Sequence, residues 1–187
     1  RPLSDNERKI GYQRYETGGR INMPQGPAAR TTDNVVHPLP PVLSPGPGSM
    51  TVMIGFLPAW RGCPLAASAG LQAGNQAAQV AIKAAEATTA AAVGPAVPVA
   101  YAAEQALKAA QLLAMTASVM SAAGGADIHA CVTPLPVPPH GPGVVIDGSK
   151  TVQTNFLPQA RMGDTVIEAV GPPNKVAKGE MTVIVGG

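Results

Sequence analysis

The chain has 187 residues, a formal net charge of +2 and only 13% charged residues. The electrostatic field of so few charges is weak, which argues against nucleic acid or an anionic membrane surface as a partner. Two cysteines are too few for a disulfide framework and fit a protein made in a reducing cytoplasm, while 21 Gly, 20 Pro and 3% aromatic residues predict short strands and frequent turns.

The first segment, residues 1–22, is polar and charged. It lacks the apolar core that a secretory signal needs, so we expect no signal peptide. Its composition is typical of a solvated arm that folds only against a partner. The alternative is a docking arm for a neighbour in an assembly.

A short motif recurs three times in the rest of the chain. The tetrapeptides PAAR, PAWR and PQAR occupy residues 27–30, 58–61 and 158–161, in step with strands of the type Gly-Ser-x-Thr-Val. Short extended pieces alternate with Pro and Gly, which predicts strands joined by turns over residues 23–62 and 126–187. Three rounds of one unit indicate stacked or radially arranged β structure.

The repeat also locates an insertion. In two copies the arginine is followed three residues later by an aspartate, but Arg61 meets no such aspartate until Asp127. The intervening residues 63–125 are rich in alanine and have no β character. We therefore predict that a separate unit has been inserted inside the second turn.

The insertion reads as a helical hairpin. Alanine-rich helices are predicted from about residue 66 to 93 and from about residue 99 to 122, with Gly94, Pro95 and Pro98 in the turn. A pair of transmembrane helices is the rival interpretation, because each uncharged run approaches the length of a membrane span. The runs are diluted by Gln, Asn, Thr, Ser and Pro, which favours the hairpin.

Side chains of two kinds are expected to hold this hairpin together. The pairs Glu104 with Lys108 and Lys83 with Glu86 have spacings that favour ion pairs along a helix. The larger apolar residues are predicted to form the seam between the helices: Leu71, Ile82, Leu107, Leu112, Met115 and Val119.

Four potential metal ligands are in register with the repeat. His37 and Cys131 each lie four residues after the aspartate of their unit, and Glu168 holds that position in the third unit. His129 lies two residues before Cys131, which on a strand puts both on one face. His140 lies in the loop before its Gly-Ser. Three imidazoles and a thiolate suit tetrahedral zinc, so His37, His129, Cys131 and His140 predict one closed, structural zinc site.

Other interpretations of these residues remain open. Cys63 and Cys131 flank the insertion and could form a disulfide, although Cys63 also reads as a small buried apolar residue. A metal-dependent hydrolase would need an open coordination position and a general base, for which Glu168 or Asp127 are the candidates.

The three tetrapeptides and their Gly-Ser-x-Thr-Val-type strands resemble those of the proline-alanine-alanine-arginine (PAAR) repeat proteins, over residues 23–62 and 126–187. Those proteins cap the central spike of type VI secretion systems and related contractile injection machines. The resemblance implies a mainly β fold, a three-unit β cone with pseudo-threefold symmetry, here carrying the alanine-rich α-helical hairpin as an insertion. It also implies a zinc ion near the tip, with the four ligands named above.

The resemblance implies a structural role without enzymatic activity. The cone would sit on a trimeric, VgrG-like spike protein and help to pierce the target membrane. Such a protein is made in the bacterial cytoplasm and delivered with the injection machine. Residues 63–125 would be available to bind an effector or a chaperone.

Overall fold

The computed structural model describes residues 25–36, 46–131 and 140–187. The predicted arm, residues 1–22, and His37 lie outside the described residues.

The described chain combines short strands with two long helices. The helices hold 27 and 28 residues, whereas each strand holds two to six, so the secondary structure is mixed rather than mainly β. In chain order the elements are β1 (Gly26–Ala28), β2 (Met53–Ile54), β3 (Leu57–Pro58), α1 (Leu65–Ala91), α2 (Ala96–Ala123), β4 (His129–Cys131), β5 (Gly141–Val145), β6 (Gln153–Thr154), β7 (Leu157–Pro158), β8 (Thr165–Glu168), β9 (Asn174–Lys175) and β10 (Glu180–Val185).

The strands form small antiparallel sheets. The largest has the order β4-β5-β8-β9, and the hairpins β2-β3 and β6-β7 are separate two-stranded ribbons. Their turns place Gly55 and Phe56, and Asn155 and Phe156, at φ values between 51° and 67°, as tight hairpin turns with two left-handed residues require. The third ribbon pairs β1 with β10, which come from opposite ends of the described chain.

The three tetrapeptides bind one another in a closed cycle of main-chain hydrogen bonds. The amide of Ala29 donates to the carbonyl of Ala160 (2.8 Å), that of Ala160 to Trp60 (2.9 Å), and that of Trp60 to Ala29 (3.0 Å). The proline carbonyls complete a second cycle, with amide donors Thr31 to Pro58, Gly62 to Pro158 and Met162 to Pro27. Each unit therefore contacts the next in the same way.

Each unit also contains the same arginine–aspartate contact. The aspartate accepts hydrogen bonds from both the backbone amide and the side chain of its arginine in all three units: Arg30 with Asp33, Arg61 with Asp127 and Arg161 with Asp164. The aspartates are almost fully buried, whereas aspartate is normally exposed. Asp127 thus completes the unit that the insertion interrupts.

The predicted helices are present with slightly different ends. The turn between them is shorter than expected: Gly94 has φ 58°, and Pro98 lies inside the first turn of α2, where a proline costs no hydrogen bond. Helix α2 ends at Ala123 and is capped by Gly124, in the left-handed conformation typical of a helix C-terminus.

The ion pairs of the hairpin follow the sequence only in part. Lys108 binds Glu104 within α2, at 2.6 Å, as its spacing predicts. Glu86 is 2.8 Å from the same lysine, across the helix pair, instead of pairing with Lys83 along α1. The lysine therefore joins the two helices.

The hairpin packs on the largest sheet at one end only. Leu71 of α1 and Val119 of α2 are buried in one cluster with Cys63, Val144 and Ile167. The other predicted seam residues differ by position: Met115 is also buried, whereas Ile82, Leu107 and Leu112, toward the turn, are half-buried. The helix pair thus packs on the sheet where α1 begins and α2 ends, and it projects away from the sheet at its turn.

Within the described ranges, α2 has the length and hydropathy of a membrane span. In its apolar 18-residue segment, 17% of the residues are buried. A single helix of this kind does not by itself identify a membrane segment.

Candidate metal centre

His129, Gly143 and Glu168 lie in one row across three strands. In the β4-β5 pair His129 is opposite Gly143, and in the β5-β8 pair Gly143 is opposite Glu168. A Cβ atom at Gly143 would lie 2.9 Å from both His129 Cδ2 and Glu168 Cγ. Glycine at this position therefore lets the two side chains meet over the middle strand.

The carboxylate of Glu168 joins the two described histidines. His129 Nε2 is 2.5 Å from Glu168 Oε1, and His140 Nδ1 is 2.8 Å from Glu168 Oε2. Asn174 Nδ2 also donates to Oε2, at 2.9 Å. His129 and Glu168 are fully buried, and the side chain of His140 is 19% exposed. The two imidazoles thus contact different oxygens of one carboxylate.

The main chain fixes the position of His140 before β5. Its carbonyl accepts a hydrogen bond from the amide of Val170 at 3.0 Å, which ties this residue to the segment that follows Glu168. A Cβ atom at Gly171, which has φ 101°, would lie 3.5–3.6 Å from the imidazole ring, so this glycine is next to His140.

The inserted hairpin contacts strand β8, which carries Glu168. Asn75 of α1 is 1% exposed, and its Nδ2 donates to the carbonyls of Glu168 and Gly171, both at 3.2 Å. Gln79 donates in turn to Asn75 Oδ1 at 2.5 Å. The insertion is consequently in direct contact with the segment that carries the site.

Two of the four predicted zinc ligands, His129 and His140, are described, and each contacts the carboxylate of Glu168. Cys131 belongs to the same strand as His129, but the structure describes its backbone alone, and His37 is outside the described residues. In the described part of the chain, no three or more His, Cys, Asp or Glu side chains form a complete metal site.

The donor chemistry nevertheless suits a metal ion. Two neutral imidazoles are common zinc ligands, and a buried carboxylate that accepts from metal-binding imidazoles is a typical outer partner. His129 and His140 are therefore of a residue type that zinc accepts as a ligand.

The structure also bears on the predicted disulfide of Cys63 and on the two candidate general bases, Asp127 and Glu168. Cys63 is a free, buried thiol, which is the small apolar residue that the sequence allowed and not half of a disulfide with Cys131. Both carboxylate oxygens of Asp127 accept hydrogen bonds from Arg61. Of the two candidate bases, Glu168 is the one beside the histidines.

The sequence placed Glu168 at an equivalent position but did not predict its contact with both histidines. It also missed Gly143, Asn75 and Asn174. The His-Gly-Pro-Gly run at 140–143 was the available signal, since glycines in a strand mark a close approach.

Comparison of this chain with protein-family models, curated proteins and solved structures found no match.

Proposed function

We propose that this chain is the metal-stabilised tip of a contractile injection machine of the type VI secretion class, capping the trimeric central spike as a three-unit β cone. The closed cycle of hydrogen bonds between the three tetrapeptides carries this proposal. A single chain with three equivalent surfaces can match a threefold partner, which an asymmetric domain cannot.

Exposed apolar side chains in all three units support the docking step. We call these six residues the base ring: Met50, Met53, Phe56, Phe156, Met181 and Ile184, each more than half exposed. Where such side chains form one patch, they mark an interaction surface.

The metal would stabilise the fold of the three units. One structural zinc ion, bound by His37, His129, Cys131 and His140, would tie the strand after the insertion to the first unit. Such a site contributes on the order of 10 kcal/mol to folding, which offsets a core with few aromatic residues.

Binding to a trimeric spike protein tests the docking step. Native mass spectrometry of the purified chain mixed with a recombinant VgrG-like trimer should show one chain per trimer. Phe56→Asp and Phe156→Asp should each weaken binding by about tenfold or more, because each places a charge in the apolar contact. Leu113→Asp, at an exposed position of α2, is the matched control and should bind normally. Absence of the complex, or equal binding by all variants, would overturn the proposal.

A second candidate function is an adaptor for an effector or chaperone through the hairpin. The observation that favours it is the exposed apolar surface of α2, where Val99, Tyr101 and Leu113 are 57% to 73% exposed. An alanine-lined groove of about 870 Å³ at the free end of the helix pair adds to this surface. In the spike-binding assay, a variant with Val99→Asp and Leu113→Asp should still bind the trimer but lose an effector or chaperone that co-purifies with the wild type.

A further inference from the structure

Strands β1 and β10 pair in the same register as the two strands of each separate hairpin. Ile184 lies opposite Pro27, and Val185 lies opposite Gly26. The β2-β3 and β6-β7 hairpins contain the corresponding pairs: Met53 with Pro58, Ile54 with Leu57, Gln153 with Pro158 and Thr154 with Leu157. In all three cases the proline is the first residue of a repeated tetrapeptide. Strands β10 and β1 together are therefore the third hairpin of the ring that the three units form.

The strands of this third hairpin are not joined by a turn. Two residues connect β2 to β3 and two connect β6 to β7, whereas β1 begins the described chain and β10 lies near its end. A two-residue turn keeps two strands together, because the entropy cost of closing so short a loop is small. Strand β1 has no such restraint on the side of Gly26. It can therefore leave β10 by a local opening in which the other two hairpins stay intact.

The side chains of β1 are small. Gly26, Pro27 and Ala28 are all buried, and Ala28 packs in an apolar cluster with Ile54, Ala59 and Val185. An alanine buries little apolar surface, and hydrophobic stabilisation grows with the area that is buried. The position of β1 therefore depends strongly on polar contacts.

One ion pair connects β10 to the residues that follow β1. Arg30 Nη1 donates to Glu180 Oε2, and the two side chains are 19% and 20% exposed. The repeat places Ser49 and Ser149 at the position of Glu180 in the other two hairpins, which are closed by a turn. We propose that β1 and β10 form a clasp at which the ring of three units opens and closes, and that the Arg30–Glu180 pair is its lock.

Opening of the clasp would free a defined set of backbone amides. When β1 and Ala29 leave the ring, the amide of Ala29 loses its acceptor, the carbonyl of Ala160. The amide of Trp60 loses the carbonyl of Ala29, and the amide of Met162 loses the carbonyl of Pro27. We call the amides of Ala29, Trp60 and Met162 the clasp amides.

Two amides of the same hydrogen-bond cycles keep their acceptors when the clasp opens. The amide of Ala160 donates to the carbonyl of Trp60, and that of Gly62 donates to the carbonyl of Pro158. We call these two the reference amides. They occupy positions equivalent to the clasp amides, so a difference between the two sets reports the local opening.

Native-state hydrogen exchange of the full chain, followed by NMR, measures this difference. Each exchange rate is compared with the intrinsic rate of the same amide in an unstructured peptide. The clasp amides should be less protected than the reference amides by about 100-fold or more, because a local opening requires less free energy than global unfolding. Equal protection of all five amides would overturn the proposal, since the ring would then open only when the whole protein unfolds.

Glu180→Gln tests the lock. It removes the charge and keeps the size of the side chain, so the clasp amides should exchange about tenfold faster than in the wild type. Glu86→Gln, which removes a carboxylate that pairs with Lys108 in the hairpin, is the matched control and should leave the clasp amides unchanged. Unchanged clasp amides in Glu180→Gln would overturn the role of the ion pair as the lock.

Leu71→Ala separates local opening from global unfolding. Leu71 is buried in the cluster between the hairpin and the largest sheet, and its contacts persist when the clasp alone is open. This variant should therefore accelerate the reference amides by about 30-fold or more and leave the clasp amides nearly unchanged. Equal acceleration of both sets would overturn the clasp, because all five amides would then exchange through one global opening.

Discussion

Arg61 and Asp127 are 66 residues apart in sequence, yet they make the contact that the other two units make between residues three apart. The backbone amide of Arg61 donates to Asp127 Oδ2 at 2.7 Å, and its Nη2 lies 2.7 Å from Oδ1. Main-chain hydrogen bonds close the same point, from Cys63 to Val145 and from Asp127 to Arg61. The insertion therefore leaves the geometry of its unit intact.

Replacing Arg61 by Ala should destabilise the protein by about 3–5 kcal/mol, because it leaves the fully buried carboxylate of Asp127 without its cation. The free energy of unfolding is measured in urea, with the fluorescence of Trp60 as the probe, since this buried residue is the single Trp of the chain.

The control for this variant is Glu86→Ala, which removes one partner of a pair whose carboxylate is 49% exposed. Exposed pairs contribute little, so a change below about 1 kcal/mol is expected. Similar losses in the two variants would mean that the Arg61–Asp127 contact is not structural.

Substitutions in the hairpin should lower the free energy of unfolding where it packs on the sheet and should have little effect at its exposed positions. Leu71→Ala removes a side chain that is 4% exposed and packs between α1 and the sheet. It should cost about 2–5 kcal/mol, as large-to-small changes in a core do. Leu113→Ala makes the same change at a position that is 73% exposed and should stay within about 0.5 kcal/mol.

Urea unfolding of both leucine variants distinguishes this arrangement from an independent hairpin. If the hairpin were only tethered to the β units, Leu71→Ala would leave the Trp60 transition unchanged.

Features that a local motif encodes were accessible from the sequence, and long-range contacts were not. The spacing of Arg30 and Asp33 predicted where Asp127 belongs, because a repeated contact needs repeated residues. The pairing of β1 with β10 was not predicted, since neither strand carries a local signal for a partner at the other end of the chain. The contact between Asn75 and β8 was not predicted for the same reason.

The candidate site was predicted in the same uneven way. The sequence grouped His129 and His140 in one predicted site with His37 and Cys131, which hold equivalent positions in the repeat. That Glu168 would stand between them depends on the pairing of β5 with both β4 and β8, which the spacing alone does not specify.

Cys63 should be unreactive in the folded protein. Burial raises the pKa of this thiol to about 11, so little thiolate exists at neutral pH, and its surroundings are apolar. Iodoacetamide at pH 8 should modify the peptide that contains Cys63 only after denaturation, as measured by mass spectrometry. Rapid modification of Cys63 in the folded state would contradict the burial.

The same pKa shift makes a prediction about stability. The folded-state pKa lies above the ordinary value of 9.0, so the contribution of the neutral thiol is fully present below pH 9 and is lost as pH rises toward 11. Relative to Cys63→Ala, the wild type should lose stability over this interval and show no difference in slope below it. Urea unfolding of the two proteins at a series of pH values measures this.

Asn75 should link the hairpin to both stability and metal binding. Asn75→Ala removes two hydrogen bonds to the backbone around Glu168 and should cost about 1–3 kcal/mol in urea unfolding. Because this backbone positions the carboxylate between the two histidines, we also expect zinc affinity to fall by about tenfold. Gln72→Ala, on the exposed face of the same helix, is the control and should change neither quantity. A hairpin that serves only to hold cargo would give a destabilised Asn75→Ala protein with unchanged zinc affinity, because its contact with β8 would then have no part in the metal centre.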